Sequence, residues 1–269
     1  MSNFSNIKIF SDTAEMCESN GILKRSIENS VKNQKLFLEN DIIPLKDSQL
    51  KKYPEGFETL VSTKRTFEAA MPYALKGKKV CALNFASARN PGGGVLGGAT
   101  AQEEALCRIS TLYFALSVNE NMEKFYLPHR ELNNLYNDDL IYTPNVTVFK
   151  SDSNNPVLKG VNDWFEVSVI TCAAPNLRYN GRISDAKLQA VHEKRAKRIL
   201  DTAAAFDSEV LILGAFGCGA FANNPEVVAP AYKNVLENYK NAFETVEFAI
   251  YARNKEDRNF KTFNCVFEK

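Results

Sequence analysis

Residues 80–104 read Val80-Cys81-Ala82-Leu83-Asn84-Phe85-Ala86-Ser87-Ala88-Arg89-Asn90-Pro91-Gly92-Gly93-Gly94-Val95-Leu96-Gly97-Gly98-Ala99-Thr100-Ala101-Gln102-Glu103-Glu104. The run Val80–Phe85 is short and apolar and ends in a polar, glycine-rich segment, which predicts a buried strand feeding a site. From Ala105 to Leu116 the apolar residues Leu106, Ile109, Leu112, Tyr113 and Leu116 recur on one helical face. Between strand and helix lie five glycines in seven residues, 92 to 98. Without a Cβ, such a loop lets backbone N–H groups come close to a phosphate. It is not a Walker loop, because no Gly-Lys-Ser/Thr follows, and it lacks the GxGxxG pattern of dinucleotide folds.

Glu103 and Glu104 then fall in the first turn of the helix, where the macrodipole favours negative charge. They admit a plain reading as helix-terminal acids and a chemical one as an acid/base pair. Adjacent helical residues point about 100° apart, so the two cannot meet one ligand in the same way. In the chemical reading one is catalytic and the other orients.

Further along, Val146–Phe149, Phe165–Cys172, Val210–Leu213 and Val246–Tyr251 read as strands. Lys187 to Phe206 reads as a helix, and another starts at Asn223-Asn224-Pro225-Glu226 and runs to about Phe243. Residues 151 to 162 read as a loop. Residues 11 to 75 look helical, with Leu23, Ile27, Val31, Leu36 to Leu38, and then Phe57, Leu60 and Val61 at helical spacing. Pro44 interrupts them with an extended piece. Strands alternating with helices predict the α/β class. In open α/β sheets ligands bind beyond the carboxyl ends of strands. A second glycine loop, Gly214-Ala215-Phe216-Gly217-Cys218-Gly219-Ala220-Phe221, follows the strand at 210–213 and is placed to meet the first.

Hydrophobic residues make up 45% of the 269 and charged residues 24%, ordinary for a globular chain. A net charge of +1 gives no chain-wide field for nucleic acid or an anionic membrane. Six scattered cysteines without a CxxC pair, and only two histidines, argue against zinc. Cys218 as a nucleophile lacks a neighbouring histidine to activate it. His129, His192 and the cluster Lys194-Arg195-Ala196-Lys197-Arg198 read as surface residues. Met1 to Phe10 carries no basic region followed by an apolar run, and no stretch of eighteen apolar residues exists. The expectation is a soluble, monomeric, cytoplasmic protein, or a nuclear one if the source is eukaryotic.

Gly92-Gly93-Gly94, seven residues, then Gln102-Glu103-Glu104 resembles the signature of poly(ADP-ribose) glycohydrolases. The flanking residues 84–91 and the Cys107-Arg108 to Leu112-Tyr113 helix resemble the microbial branch, and residues 214–221 resemble its diphosphate loop. The resemblance covers residues 55 to 269 well and the first 50 loosely. It implies a macrodomain-like three-layer α/β sandwich, a central mixed sheet flanked by helices. Residues 1–50 would be an N-terminal helical extension and 51–269 the catalytic domain, together one compact unit. It implies hydrolysis of the ribose–ribose O-glycosidic bond of poly(ADP-ribose) with release of ADP-ribose, without cofactor or metal. By position, Glu104 matches the catalytic acid/base and Glu103 the residue that orients the ribose hydroxyl. Asn90, Gly92, Gly93, Gly94, Val95 and Gln102 would bind substrate from one side. Gly217, Cys218, Gly219, Ala220 and Phe221 would wrap the diphosphate from the other. Whether Ser87 or Asn90 meets ribose stays open. Partners would be poly(ADP-ribose) or ADP-ribosylated protein, with no direct nucleic-acid or membrane contact. A non-hydrolytic ADP-ribose-binding module and a mono-ADP-ribosyl hydrolase are the rival readings.

Overall fold

In the computed structural model, which describes residues 3–178 and 183–268, the apolar runs at 80–85, 165–172 and 210–213 are strands over the bounds their composition predicts. The chain opens with α1 (Asn3–Ser19), α2 (Gly21–Asn33), β1 (Lys35–Phe37), β2 (Glu58–Ser62), α3 (Thr66–Ala74) and β3 (Val80–Phe85). Next come α4 (Gln102–Ile109), α5 (Leu112–Leu116), α6 (Asn119–Asn121), α7 (Leu127–Glu131), β4 (Leu140–Val148) and β5 (Phe165–Cys172). It closes with α8 (Asp185–Ala205), β6 (Val210–Leu213), α9 (Pro225–Leu236), β7 (Thr245–Ala249) and α10 (Arg258–Phe267). The strands form one seven-stranded sheet in the order β1-β4-β5-β3-β6-β7-β2. β5, β3, β6, β7 and β2 run parallel, and β4 is antiparallel to both its neighbours.

Period-two alternation sorts the core into two layers. Cys81 and Leu83 of β3, with Leu211 and Leu213 of β6, pack under α8, α9 and α10. Val80 and Ala82, with Val210 and Ile212, pack under α3, α4, α5 and Phe10 of α1. The central strands are apolar on both faces because both faces are covered. The result is a three-layer α/β/α sandwich, as expected. Among the described residues no helix is long and apolar enough to cross a membrane.

Several expectations fail, each for a tertiary reason. Leu36 to Leu38 and Phe57 to Val61 do not continue a helix. Lys35–Phe37 pairs antiparallel with β4 and Glu58–Ser62 pairs parallel with β7, so both become edge strands. The helix from Ala105 does not reach Leu116 unbroken. Ile109 O accepts from Phe149 N and Lys150 N (3.0 and 3.2 Å) and Thr111 N donates to Thr147 O (3.0 Å), which turns the backbone into a sheet-like contact at Ser110. The helix after Asn224 ends at Leu236 rather than near Phe243, and a 3₁₀ turn, Glu237–Tyr239, follows it. β7 stops at Ala249, two residues short of Tyr251.

Both histidines are buried rather than exposed. His129 contacts Phe125 O and Asn137 Oδ1, each at 2.6 Å. Arg195 is buried, whereas Lys194 and Lys197 of the basic cluster are exposed. It donates to Asp138 Oδ1 (3.0 Å), to Ala173 O (2.8 Å) and to Leu135 O. A buried guanidinium persists because its donors are satisfied at fixed acceptors.

Candidate active site

The carboxyl ends of β3, β6 and β7 surround a cavity of about 340 Å³. Its lining includes Phe85 and Ser87 after β3, Gly217 to Phe221 (without Cys218) after β6, Tyr251 after β7, and the start of α4. The second glycine loop reaches the cavity where the strand order predicts, whereas no residue of the first, 92 to 98, lines it; the residues that follow that loop, Thr100 to Glu104, do.

Gln102 fixes α4 to β3. Its Oε1 accepts Phe85 N–H (2.8 Å), and its Nε2 donates to Leu83 O (2.8 Å) and Thr66 Oγ1 (3.0 Å). This side-chain amide extends the strand's hydrogen-bonding pattern by one rung, so Glu103 and Glu104 leave the helix at the cavity floor. Glu103 is 2% exposed and Glu104 7%.

The two acids differ in how they are satisfied. Glu103 Oε1 accepts from Asn84 Nδ2 (3.2 Å) and its Oε2 from Ser87 N (2.7 Å). Glu104 Oε1 accepts from Gly94 N (2.8 Å), while its Oε2 is buried without a partner. Gly93, at φ +59°, passes so close that an added Cβ would lie 2.4 Å from Glu104 Oε1 and 3.0 Å from Glu103 Oε2. The first glycine loop thus wraps the carboxylates. Gly92, Gly93, Gly94 and Val95 lie behind the two acids rather than on the cavity wall. Val95 is buried in the core.

Burial pushes the Glu103 carboxyl up to about 8, against the pull of the Ser87 and Asn84 hydrogen bonds, and the neighbouring Glu104 charge adds to the rise. The unfolded chain releases this proton near the ordinary value of 4.5. Between those two values the folded state binds more protons than the unfolded one. Its contribution to stability therefore falls as pH rises from 4.5 to about 8. The slope reaches at most about 1.4 kcal/mol per pH unit. Urea midpoints measured across that range should decline more steeply in the native protein than in Glu103→Gln. Parallel curves would remove Glu103 as the cause.

The second loop is held from behind by one amide. Asn223 Nδ2 donates to Pro175 O (2.7 Å), Gly217 O (3.1 Å) and Phe221 O (3.1 Å). With its N–H₂ committed, Asn223 Oδ1 accepts from His192 Nε2 at 2.8 Å. That assigns the Nε2–H tautomer, and burial pushes His192 down to about 4, so the ring is neutral. Gly217, at φ +77°, has no room for a Cβ, which would lie 2.7 Å from Ala174 Cβ. Among the described residues nothing accepts from the N–H groups of Gly219, Ala220 and Phe221. Successive free N–H groups at a turn form an anion-binding concavity. Cys218 points away, its thiol toward Phe216 O (3.7 Å), and burial pushes it up to about 12, which leaves no thiolate.

Ser87, not Asn90, borders the cavity. Asn90 is exposed and its Oδ1 accepts from Arg130 Nη2 at 3.2 Å. At the other end lie residues that the sequence reading missed. The Arg65 guanidinium sits 3.9 Å over the Tyr251 ring, and Asp152 accepts from Phe67 N at 2.9 Å. Tyr251 could have been found by its place at a strand's carboxyl end. Nothing in the local pattern marks Arg65 or Asp152. Among the described residues no group of three or more His, Cys, Asp or Glu is placed to hold a metal.

The family model for the microbial-type PARG catalytic domain, where PARG is poly(ADP-ribose) glycohydrolase, matches residues 9–151, more than half of the chain. The comparison with curated protein sequences returns no match. Among solved structures, the chain is similar to Thermomonospora curvata poly(ADP-ribose) glycohydrolase bound to the inhibitor ADP-HPD. Identity is 31%, the TM-score 0.83, and the match covers 97% of this chain and 99% of that one. It is also similar to Deinococcus radiodurans poly(ADP-ribose) glycohydrolase in complex with ADP-ribose, at 35% identity and TM-score 0.77. There the match covers 90% of this chain and 97% of that one. Unlike the family model, these structural matches extend over the second glycine loop and the cavity it closes. The paired glutamates, the glycine loop around them and the second glycine loop at the cavity stand on a fold shared along nearly its whole length, and the chain belongs to the microbial-type poly(ADP-ribose) glycohydrolases.

Proposed function

We propose that this chain hydrolyses the ribose–ribose O-glycosidic bond of poly(ADP-ribose) and releases ADP-ribose, with Glu104 as general acid and then base. The observation that carries this is the buried, unpartnered Glu104 Oε2 beside the cavity. Glu103 has both oxygens engaged and Glu104 Oε1 is held by Gly94 N–H, so Oε2 is the oxygen left to carry a proton toward a substrate.

As the glycosidic C–O bond breaks, its electron pair stays on the departing ribose oxygen, which takes the proton from Glu104. The anomeric carbon becomes oxocarbenium-like, and the substrate's own diphosphate, seated on the N–H groups of Gly219 to Phe221, stabilises that charge. Water then adds to the anomeric carbon and its proton returns to Glu104. One carboxylate serves twice, unlike the paired carboxylates of most glycosidases. Glu103 holds its place through Asn84 and the Ser87 backbone and orients the ribose hydroxyl. Gly217, Gly219, Ala220 and Phe221 bind from the facing side. Gly92 to Val95 and Gln102 act through the carboxylates and the backbone. Asn90 and Cys218 have the weakest geometry for contact.

Recognition runs through ADP-ribose rather than nucleic acid, since the net charge is only +1. The chain acts as a cytoplasmic monomer, with a cavity lined by its own residues. Poly(ADP-ribose) and a mono-ADP-ribosylated protein, offered side by side to the purified protein, test the reading. ADP-ribose release from polymer is expected. Faster turnover of the mono-modified protein would make this a mono-ADP-ribosyl hydrolase, and binding of ADP-ribose without release from either would make it a reader.

A further inference from the structure

Four buried polar groups outside the cavity have no part in the reaction above: Asn6 and Thr13 on α1, Arg108 at the end of α4, and Lys150 after β4. Asn6 and Arg108 bond carbonyls at the end of the first glycine loop, Thr13 ties Arg108 to α1, and Lys150 braces α1 behind them. Asn6 Nδ2 donates to Gly98 O at 2.9 Å, across 92 residues of chain. Arg108 Nη1 donates to the next carbonyl, Ala99 O, at 2.5 Å. Arg108's own carbonyl lies 2.5 Å from Thr13 Oγ1, which Lys150 Nζ reaches at 2.7 Å. Lys150 also reaches Asp12 Oδ2 (2.5 Å) and Ile9 O (3.2 Å), back on α1.

The apolar contacts follow the same route. Phe10 of α1 meets the Tyr113 ring edge-on at 5.0 Å between centroids. Tyr113 in turn leaves no space for a Cβ on Gly92, which would lie 2.7 Å from Tyr113 Cδ2. Gly98, at φ +76°, sits so close to α1 that a Cβ there would lie 2.2 Å from Asn3 O. Helix α1 therefore grips the glycine loop directly at Gly98 and, through the Tyr113 ring, at Gly92. Between those grips lies Gly94, whose N–H holds Glu104 Oε1.

We propose that α1 is a positioning element of the active site: Asn6 and Thr13 set the conformation of the glycine loop that presents Gly94 N–H to Glu104. Helix α1 then belongs to the catalytic unit rather than to an accessory layer. A buried amide bonded to a loop carbonyl resists displacement, because leaving either group unsatisfied in the interior is unfavourable. The residues act through the loop and touch no substrate. This inference rests on the hydrolase reading above for its kinetic arm only.

The test compares Asn6→Ala, Thr13→Val and Thr13→Ser in the full chain. Loss of the latch should lower kcat for ADP-ribose release about tenfold in the first two, since small displacements of a catalytic group carry large rate penalties. KM and the Kd for ADP-ribose should stay within about twofold, because the facing loop is untouched. Thr13→Ser, which keeps the hydroxyl, should behave as the native protein. Amide hydrogen exchange in residues 92–101 should quicken in Asn6→Ala, a readout independent of turnover. Unchanged kcat and unchanged exchange in folded Asn6→Ala and Thr13→Val would overturn the latch. So would a uniform loss of kcat, ADP-ribose affinity and melting temperature, which marks a merely structural role. A native protein that releases no ADP-ribose counts against the hydrolase reading instead, and the exchange measurement then decides the latch alone.

Discussion

Glu104→Gln is expected to lower the rate of ADP-ribose release by about 10²–10⁴-fold, the usual contribution of a positioned general acid/base. The substitution is close to isosteric. The amide oxygen can still accept from Gly94 N–H, which holds Glu104 Oε1 at 2.8 Å in the native protein. The amide nitrogen then occupies the place of the unpartnered Oε2, where it can neither deliver a proton nor take one from water. ADP-ribose affinity should stay within a few-fold of native, because the N–H groups of Gly219 to Phe221 are not disturbed. Single-turnover kinetics on polymer, with calorimetric titration of ADP-ribose, separate the two effects. Residual activity above about a tenth of native would be too much for an enzyme lacking its proton donor, and the assignment of Glu104 would fall.

Gly93→Ala should reduce turnover by a comparable amount through geometry alone. The residue sits at φ +59°, and the new Cβ would lie 2.4 Å from Glu104 Oε1 and 3.0 Å from Glu103 Oε2. The obstructing atoms are ends of side chains, so the fold accommodates the methyl by moving the carboxylates. Stability should drop by only about 1 kcal/mol for the left-handed backbone. Misplacing the acid by about 1 Å costs about a hundredfold in rate. Gly97→Ala is the internal control, because a Cβ there meets nothing within 4 Å. Near-native kcat in Gly93→Ala, or equal losses in the two variants, would show that the loop does not set the carboxylates.

The parts of the molecule that were legible in the sequence are those whose causes are local. Strands β3, β5 and β6 are short runs rich in Val, Ile, Leu and Phe, so their limits match without tertiary information. The glycine–glutamate stretch carries its chemistry within 25 residues, from Val80 to Glu104. The errors fall where partners are distant. Lys35–Phe37 and Glu58–Ser62 become strands because β4 and β7 offer open edges, which no helical count of Leu36 or Leu60 can reveal. Arg195 looks like its exposed neighbours until Asp138, 57 residues away, is brought beside it. His192 is placed by Asn223, 31 residues on, and the role of that pair behind the second loop has no periodic signature. Glycine density drew attention to the first loop as a candidate phosphate loop. It did not tell that the loop's nearest anions are the protein's own carboxylates.

The unpartnered oxygen of Glu104 also bears on how the cavity could be blocked. Oε1 is committed to Gly94 N–H, so Oε2 is the oxygen left for a small molecule. A compound that sets a hydroxyl or an amine there takes up the position from which, in the reaction proposed above, the proton is delivered.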